Sequence, residues 1–413
     1  MQPKKFSFTW MAAACIAVSL AGSPTRSSAQ QETVLYSFGN GTDTSDPQGN
    51  LTADSAGNFY STSDGGGAYG LGTVYELTRN SDGTWSEKIL HSFGNGHDGS
   101  RLRSGVIFDS AGNLFGTTIE GGAHNLGTVF ELTRKANGDW SEKLLHSFNG
   151  TDGTNGWDKL IFDASGNMFS TTAVGGTYGQ GVLYEMMPKA GGGWRFKVLH
   201  HFGNGHDGAQ PQGGLILDAA GNLYGATTYG GRNSYGTVFE LSPKTGGSWT
   251  EKLLHSFTND GVDGTNPFSS VILDAGGNLY GTTIGGGAFA SGTAYELMHT
   301  SGGGWTEKIL HSFPDSSGTD GSDPWPGLKF DAAGNLYGST QFGGADGAGI
   351  TFKLMPTAGG DWNYEVLHAF NDNGTDGVNP SFCDIFVDSS GNLYGTTLQG
   401  GTYGGGTLYQ ITP

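Results

Sequence analysis

Cysteine is almost missing from this sequence, with two residues in 413, Cys15 and Cys383. A chain with no thiol pair to spare has to be held by packing, even where its compartment permits disulfides. Positive charge is scarce as well: 20 Lys and Arg stand against 38 Asp and Glu, for a net charge of −18. Neutralising a phosphate backbone takes basic side chains, so nucleic acid is not an expected partner. Beyond the N-terminus there is no apolar run long enough to span a bilayer. Nowhere does a 3.6-residue apolar period last long enough for a helix, which leaves an all-β chain.

The N-terminus has the three parts of a secretory leader: Lys4 and Lys5, an apolar stretch from Phe6 to Leu20, and a small polar exit ending Ser27-Ser28-Ala29. Cleavage is expected after Ala29, giving a secreted or periplasmic monomer of residues 30–413 with no membrane span. Cys15 is not read as a lipid-anchor cysteine, because the apolar run before it is very short and the usual Leu is missing. Lys4, Lys5 and Arg26 leave with the leader and no acid does, so the net charge moves from −18 to −21.

Glycine is abundant instead, at 76 residues, more than double the usual share of about 7%. Disorder would be the simplest reading, but the glycines recur at fixed places between strand-like runs. The motif Asp-x-x-Gly-Asn followed by an apolar-aromatic pair begins at Asp54, Asp109, Asp163, Asp218, Asp274, Asp331 and Asp388, spaced 54 to 57 residues apart. Such a period indicates a propeller or a solenoid. In the second copy, Gly105–Phe108, Leu114–Thr118, Gly127–Leu132 and Lys143–Phe148 read as four short strands separated by turns. Four antiparallel strands per repeat make a propeller blade, so the expected fold is a seven-bladed β-propeller forming one domain.

The two ends of the chain fit ring closure. Trp85, Trp140, Trp194, Trp249, Trp305 and Trp362 open the fourth strand of six copies, and the seventh copy stops after its third strand, Gly406–Ile411. Val34–Phe38 aligns with the missing fourth strand and is expected to complete the last blade. Lys88, Lys143, Lys197, Lys252 and Lys308, with Glu365 in the sixth copy, form a charged column on the outer strand. Charge there guards an edge against pairing with other chains.

The Asp-x-x-Gly-Asn-Leu-Tyr-Gly-Thr-Thr and Gly-Gly…Gly-Thr-Val-Phe-Glu-Leu blocks, with segments such as Leu254–Phe257 through Asp263–Pro267, resemble the GloVer tandem repeats of bacterial "choice-of-anchor" exported proteins. The resemblance covers nearly the whole mature chain. It implies an exported repeat protein of unassigned molecular function, often with a C-terminal sorting segment, and the sequence departs from this by ending at Pro413 without one. The Asp-Gly-Asn-Leu-Tyr turn is also similar to that of NHL-type propellers, which mostly bind rather than catalyse; that likeness is one of fold.

A chemical site is needed once, whereas a structural device is needed in every blade. His91, His146, His200, His255, His311 and His368, with Tyr36 in the seventh place, form one column and are read as packing and hydrogen-bonding residues rather than metal ligands. Asp43, Asp98, Asp152, Asp207, Asp263, Asp320 and Asp376 form another. An Asx-type turn is the favoured role for it, with calcium ligation the unassigned alternative and no other cofactor expected. Breaks in the repeat cluster on the second and third copies: Arg101-Leu102-Arg103, Trp157-Asp158-Lys159, and Glu120 and His124 in the neighbouring Gly-Gly loop. These loops share a face, so Arg101, Arg103, Glu120, His124, Trp157, Asp158 and Lys159 form a candidate ligand site within an aromatic rim, suited to sugars or peptides. Neutral drift of a tolerant loop is the alternative. Two functions follow: a non-catalytic binding or scaffold module for a glycan or an envelope protein, and a lyase acting on acidic polysaccharide. In the lyase, Arg101 or Arg103 would neutralise a uronate and His124 or a rim Tyr would serve as base and acid.

Overall fold

The computed structural model describes residues 31–412 except 301, 315–317 and 381; the expected secretory leader lies outside the described residues. Every regular element among them is a strand. Seven four-stranded antiparallel sheets follow one another as the blades of a propeller. In the second blade the strands are Ile107–Phe108, Leu114–Thr118, Thr128–Arg134 and Trp140–Ser147.

The innermost strand has two paired residues where the sequence suggested four. Towards the axis the blades converge, and a Cβ on Gly105 would sit 2.4 Å from the Asn50 carbonyl oxygen of the first blade. The chain therefore joins the sheet only from Ile107 onward.

Each Asp-x-x-Gly-Asn turn is closed by its own carboxylate. Asp109 Oδ1 accepts from the Ala111 and Asn113 amides and Oδ2 from the Asn113 side chain, all at 2.9 Å, while Gly112 supplies φ 84°. The Asn amide of all six other blades donates to the equivalent aspartate.

Ring closure is as the sequence suggested. Gln31–Ser37 pairs with Thr407–Thr412, from Gln31 opposite Thr412 to Ser37 opposite Thr407. The core is divided among the blade junctions: Phe115, Val129 and Phe148 of the second blade pack on Leu160, Met168, Val182, Tyr184 and Met186 of the third. Phe38, Phe93, Phe148, Phe202, Phe257, Phe313 and Phe370, one after each outer strand, are fully buried. Each stabilises the ring by roughly 1.5–3 kcal/mol of apolar burial.

The repeated polar columns also join neighbours. His91, His146, His200, His255 and His368 each place Nε2 2.9–3.2 Å from an oxygen of the next Asp-Gly aspartate, and Tyr36 donates to Asp43 at 2.7 Å. The column lysines do more than guard an edge. Lys88 donates to the Gly138 carbonyl of the following blade at 3.1 Å, and Lys197 to that of Gly247 at 2.7 Å.

Candidate functional site

Successive strands alternate in direction, so the Asp-Gly crossing and the Gly-Gly loop meet on one face. They pair directly, Gly208 with Gly230 and Ala209 with Tyr229, and Ser100 bridges Glu120 in the second blade. Three residues into each crossing the backbone turns left-handed, at Asp46, Arg101, Asn155, Gln210, Asn266, Asp323 and Asn379, with φ between 52° and 58°. Short amide and carboxylate side chains tolerate this conformation best, which explains the Asn/Asp that usually stands there.

Beyond that kink the chain dips towards the axis. A hydroxyl from the second strand of the preceding blade holds it: Thr62 Oγ1 donates to the Ser104 carbonyl at 2.5 Å, Thr117 to Asp158 at 3.2 Å, Thr282 to Pro326 at 3.1 Å and Thr396 to Pro47 at 3.0 Å. Where the middle position of the Gly-Thr-Thr motif carries a hydroxyl, that hydroxyl is thus the fastener of the next blade's crossing; the fourth blade has Ala226 there.

The side chains presented at this point do not repeat. Around the ring they are Gln48, Arg103, Trp157, Gln212, Phe268, Trp325 and Phe382. All but Gln48 line an axial cavity of about 60 Å³, together with Asn50, Lys159, Ser270 and Asp384. The aromatic rings touch one another: Phe268 and Trp325 have centroids 4.4 Å apart, Trp325 and Phe382 5.1 Å, and Trp157 and Phe268 5.6 Å. The Arg103 guanidinium lies over Trp157, 4.5 Å from its ring centroid, and 3.6 Å from Asp64 through Nε.

Beside this aromatic layer a polar network links several blades. Asp384 accepts from the Gly327 amide at 2.7 Å and from Asn50 Nδ2 at 3.1 Å, and Lys159 Nζ lies 3.7 Å away. Asp158 is buried with its carboxyl on the Thr171 hydroxyl. Burial pushes its pKa up to about 7, against the opposing pull of Thr171 and Lys159.

Of the seven residues singled out from the sequence, Arg103, Trp157, Asp158 and Lys159 line this funnel, and Arg101, Glu120 and His124 do not. Arg101 is paired at the rim with Asp64 at 3.2 Å and Glu120 at 3.4 Å. His124 is exposed on its loop. The sequence reading passed over Phe268, Trp325, Phe382, Asn50 and Asp384, because they follow Asn/Asp-Pro segments that looked regular. Counting back from each Asp-x-x-Gly-Asn aspartate would have found the column: position minus six holds Gln48, Arg103, Trp157, Gln212, Phe268, Trp325 and Phe382.

Fold and site together define a seven-bladed propeller with one non-repeating axial funnel. The chain belongs to the Gloeobacter/Verrucomicrobia repeat family, whose pattern matches residues 24–142, 137–318 and 269–413. No curated protein matches it. Among solved structures, the extracellular domain of a one-component system from B. thetaiotaomicron is 12% identical, with a TM-score of 0.55 over 92% of this chain and 40% of that one. An ancestral GH74 enzyme is 12% identical, with a TM-score of 0.58 over 93% and 51%. The chain spans about half the length of these proteins or less, and the likeness is one of fold.

Proposed function

We propose that this protein is an exported binding propeller, and that its ligand is a neutral glycan held in the axial funnel. The observation that carries the reading is the non-repeating column. A scaffold of seven near-identical blades presents non-repeating side chains at its axial ring of positions, and four of those seven side chains are Trp or Phe. Aromatic faces stack on the apolar faces of sugar rings. Arg103 and Lys159 each already face an aspartate, Asp64 and Asp384, which favours a neutral ligand over an anionic one. Tyr69, Tyr178, Tyr229, Phe289 and Tyr403 stand about half exposed in the loops of the same face, and would extend the contact outward.

A glycan array followed by calorimetry tests this. Trp157→Ala and Trp325→Ala should each weaken binding by roughly 1–3 kcal/mol while the protein melts as before. Asn137→Ala, in a turn of the opposite face, should leave binding unchanged. Full affinity in the double tryptophan variant would overturn the site, and an array with no hits would favour an envelope protein as partner. New unsaturated-uronate absorbance on incubation with acidic polysaccharide would replace the binding role with a lyase.

A further inference from the structure

The histidine column gains a second partner from the next blade. One residue before the charged column, the outer strand carries Glu32, Glu87, Glu142, Glu251 and Glu307, with Phe196 and Tyr364 in the other two blades. At three junctions this glutamate closes on the His–Asp pair of the preceding blade: His200, Asp207 and Glu251; His255, Asp263 and Glu307; and His368, Asp376 and Glu32, with one donor atom from each residue all within 4.8 Å of one another. His255 Nε2 lies 3.2 Å from Asp263 Oδ2 and 3.8 Å from Glu307 Oε2. His200 Nε2 lies 2.9 Å from Asp207 and 4.0 Å from Glu251. Tetrahedral zinc with bonds of about 2.0–2.2 Å has ligand atoms roughly 3.3–3.6 Å apart, the middle of this range.

Two further observations point to a cation. Oε1 of all five column glutamates, Glu32, Glu87, Glu142, Glu251 and Glu307, is cut off from solvent and accepts no hydrogen bond, and at Glu32, Glu251 and Glu307 the same carboxylate stands beside a His–Asp pair. The aspartates are also held in place: Asp263 Oδ2 accepts from the Thr258 amide at 2.7 Å, and Asp376 Oδ2 from Asn371 Nδ2 at 2.7 Å, the kind of outer contact that orients a metal ligand. Where the glutamate is replaced, the new ring takes its place over the imidazole. Phe196 stacks on His146 and Tyr364 on His311, each with centroids 3.9 Å apart.

We propose that these three junctions are zinc sites, each with one imidazole and two carboxylate ligands from two adjacent blades and a fourth position open to solvent. An imidazole among the donors favours zinc over calcium, which takes oxygen ligands. A divalent ion balances the two carboxylates at each junction. At the third junction Glu32 lies on the N-terminal strand, so the metal would latch the ring where the chain closes it.

The test is zinc titration of the chelator-stripped chain, with bound metal counted by elemental analysis and melting followed in parallel. Three zinc ions per chain and a higher melting temperature are expected, with calcium giving neither. Glu32→Gln, Glu251→Gln and Glu307→Gln should each remove one ion, and the triple variant should lose both the metal and the zinc-dependent rise. His146→Ala should keep all three. Failure of the parent chain to bind zinc, or undiminished stoichiometry in the triple variant with its circular dichroism unchanged, would overturn the proposal.

Discussion

Arg101 occupies a backbone position, φ 57°, that five of the other six blades fill with Asn or Asp. Its ion pairs with Asp64 and Glu120 are substantially exposed and contribute little. Arg101→Asn should therefore stabilise the fold by roughly 0.5–1 kcal/mol by relieving a left-handed residue, read from denaturant midpoints. A loss of that size would show that the ion pairs hold the rim. Asp158 makes a different prediction. Its folded-state pKa, about 7, stands above the ordinary 3.8, so the folded protein binds this proton more tightly than the unfolded chain. The associated stability is complete in acid below the ordinary value and is lost as pH rises through about 7. Asp158→Asn keeps the shape without the charge, so the fall in urea midpoint between pH 5 and pH 8 should shrink. An undiminished fall would place its origin elsewhere.

Strands and turns were legible because their causes are local. Asp109 closes its own turn through Ala111 and Asn113, and the fourth strand missing from the last repeat could be matched to Val34–Phe38 by pattern. Removing Gln31–Ser37 should leave Thr407–Thr412 as an unpaired edge and lower the melting temperature on the order of 10 °C; a variant melting like the parent would show that the clasp adds nothing. Half of the funnel was legible for the same local reason: Arg103 and Trp157 stand in segments that break the Asn/Asp-Pro pattern. Trp325 and Phe382 stand in segments that keep it, and the seventh crossing carries one extra residue, which shifts Phe382 out of a forward count. The partners of the histidines were hidden more deeply. Glu251 and Glu307 meet them from the next blade, and the repeat of a single strand does not show what faces it across a junction.

At the scale of the whole molecule, the excess of 38 acidic over 20 basic residues surrounds a funnel whose cations already face aspartates. A negative field of this kind repels an anionic chain before contact is made, and salt relieves the repulsion because the screening length falls from about 30 Å at 0.01 M to about 8 Å at 0.15 M. Stacking of a neutral sugar on Trp157 or Trp325 carries no such term. If the funnel holds a neutral glycan, affinity measured by calorimetry should stay within about twofold over that range of ionic strength, since no net charge is neutralised. A uronate-bearing chain of the same length should bind more weakly at 0.01 M and gain on addition of salt. The opposite pattern, tight binding of the acidic chain at low salt that weakens as salt is added, would mean that Arg103 and Lys159 release their aspartates to grip the ligand. The funnel would then be a site for acidic polysaccharide.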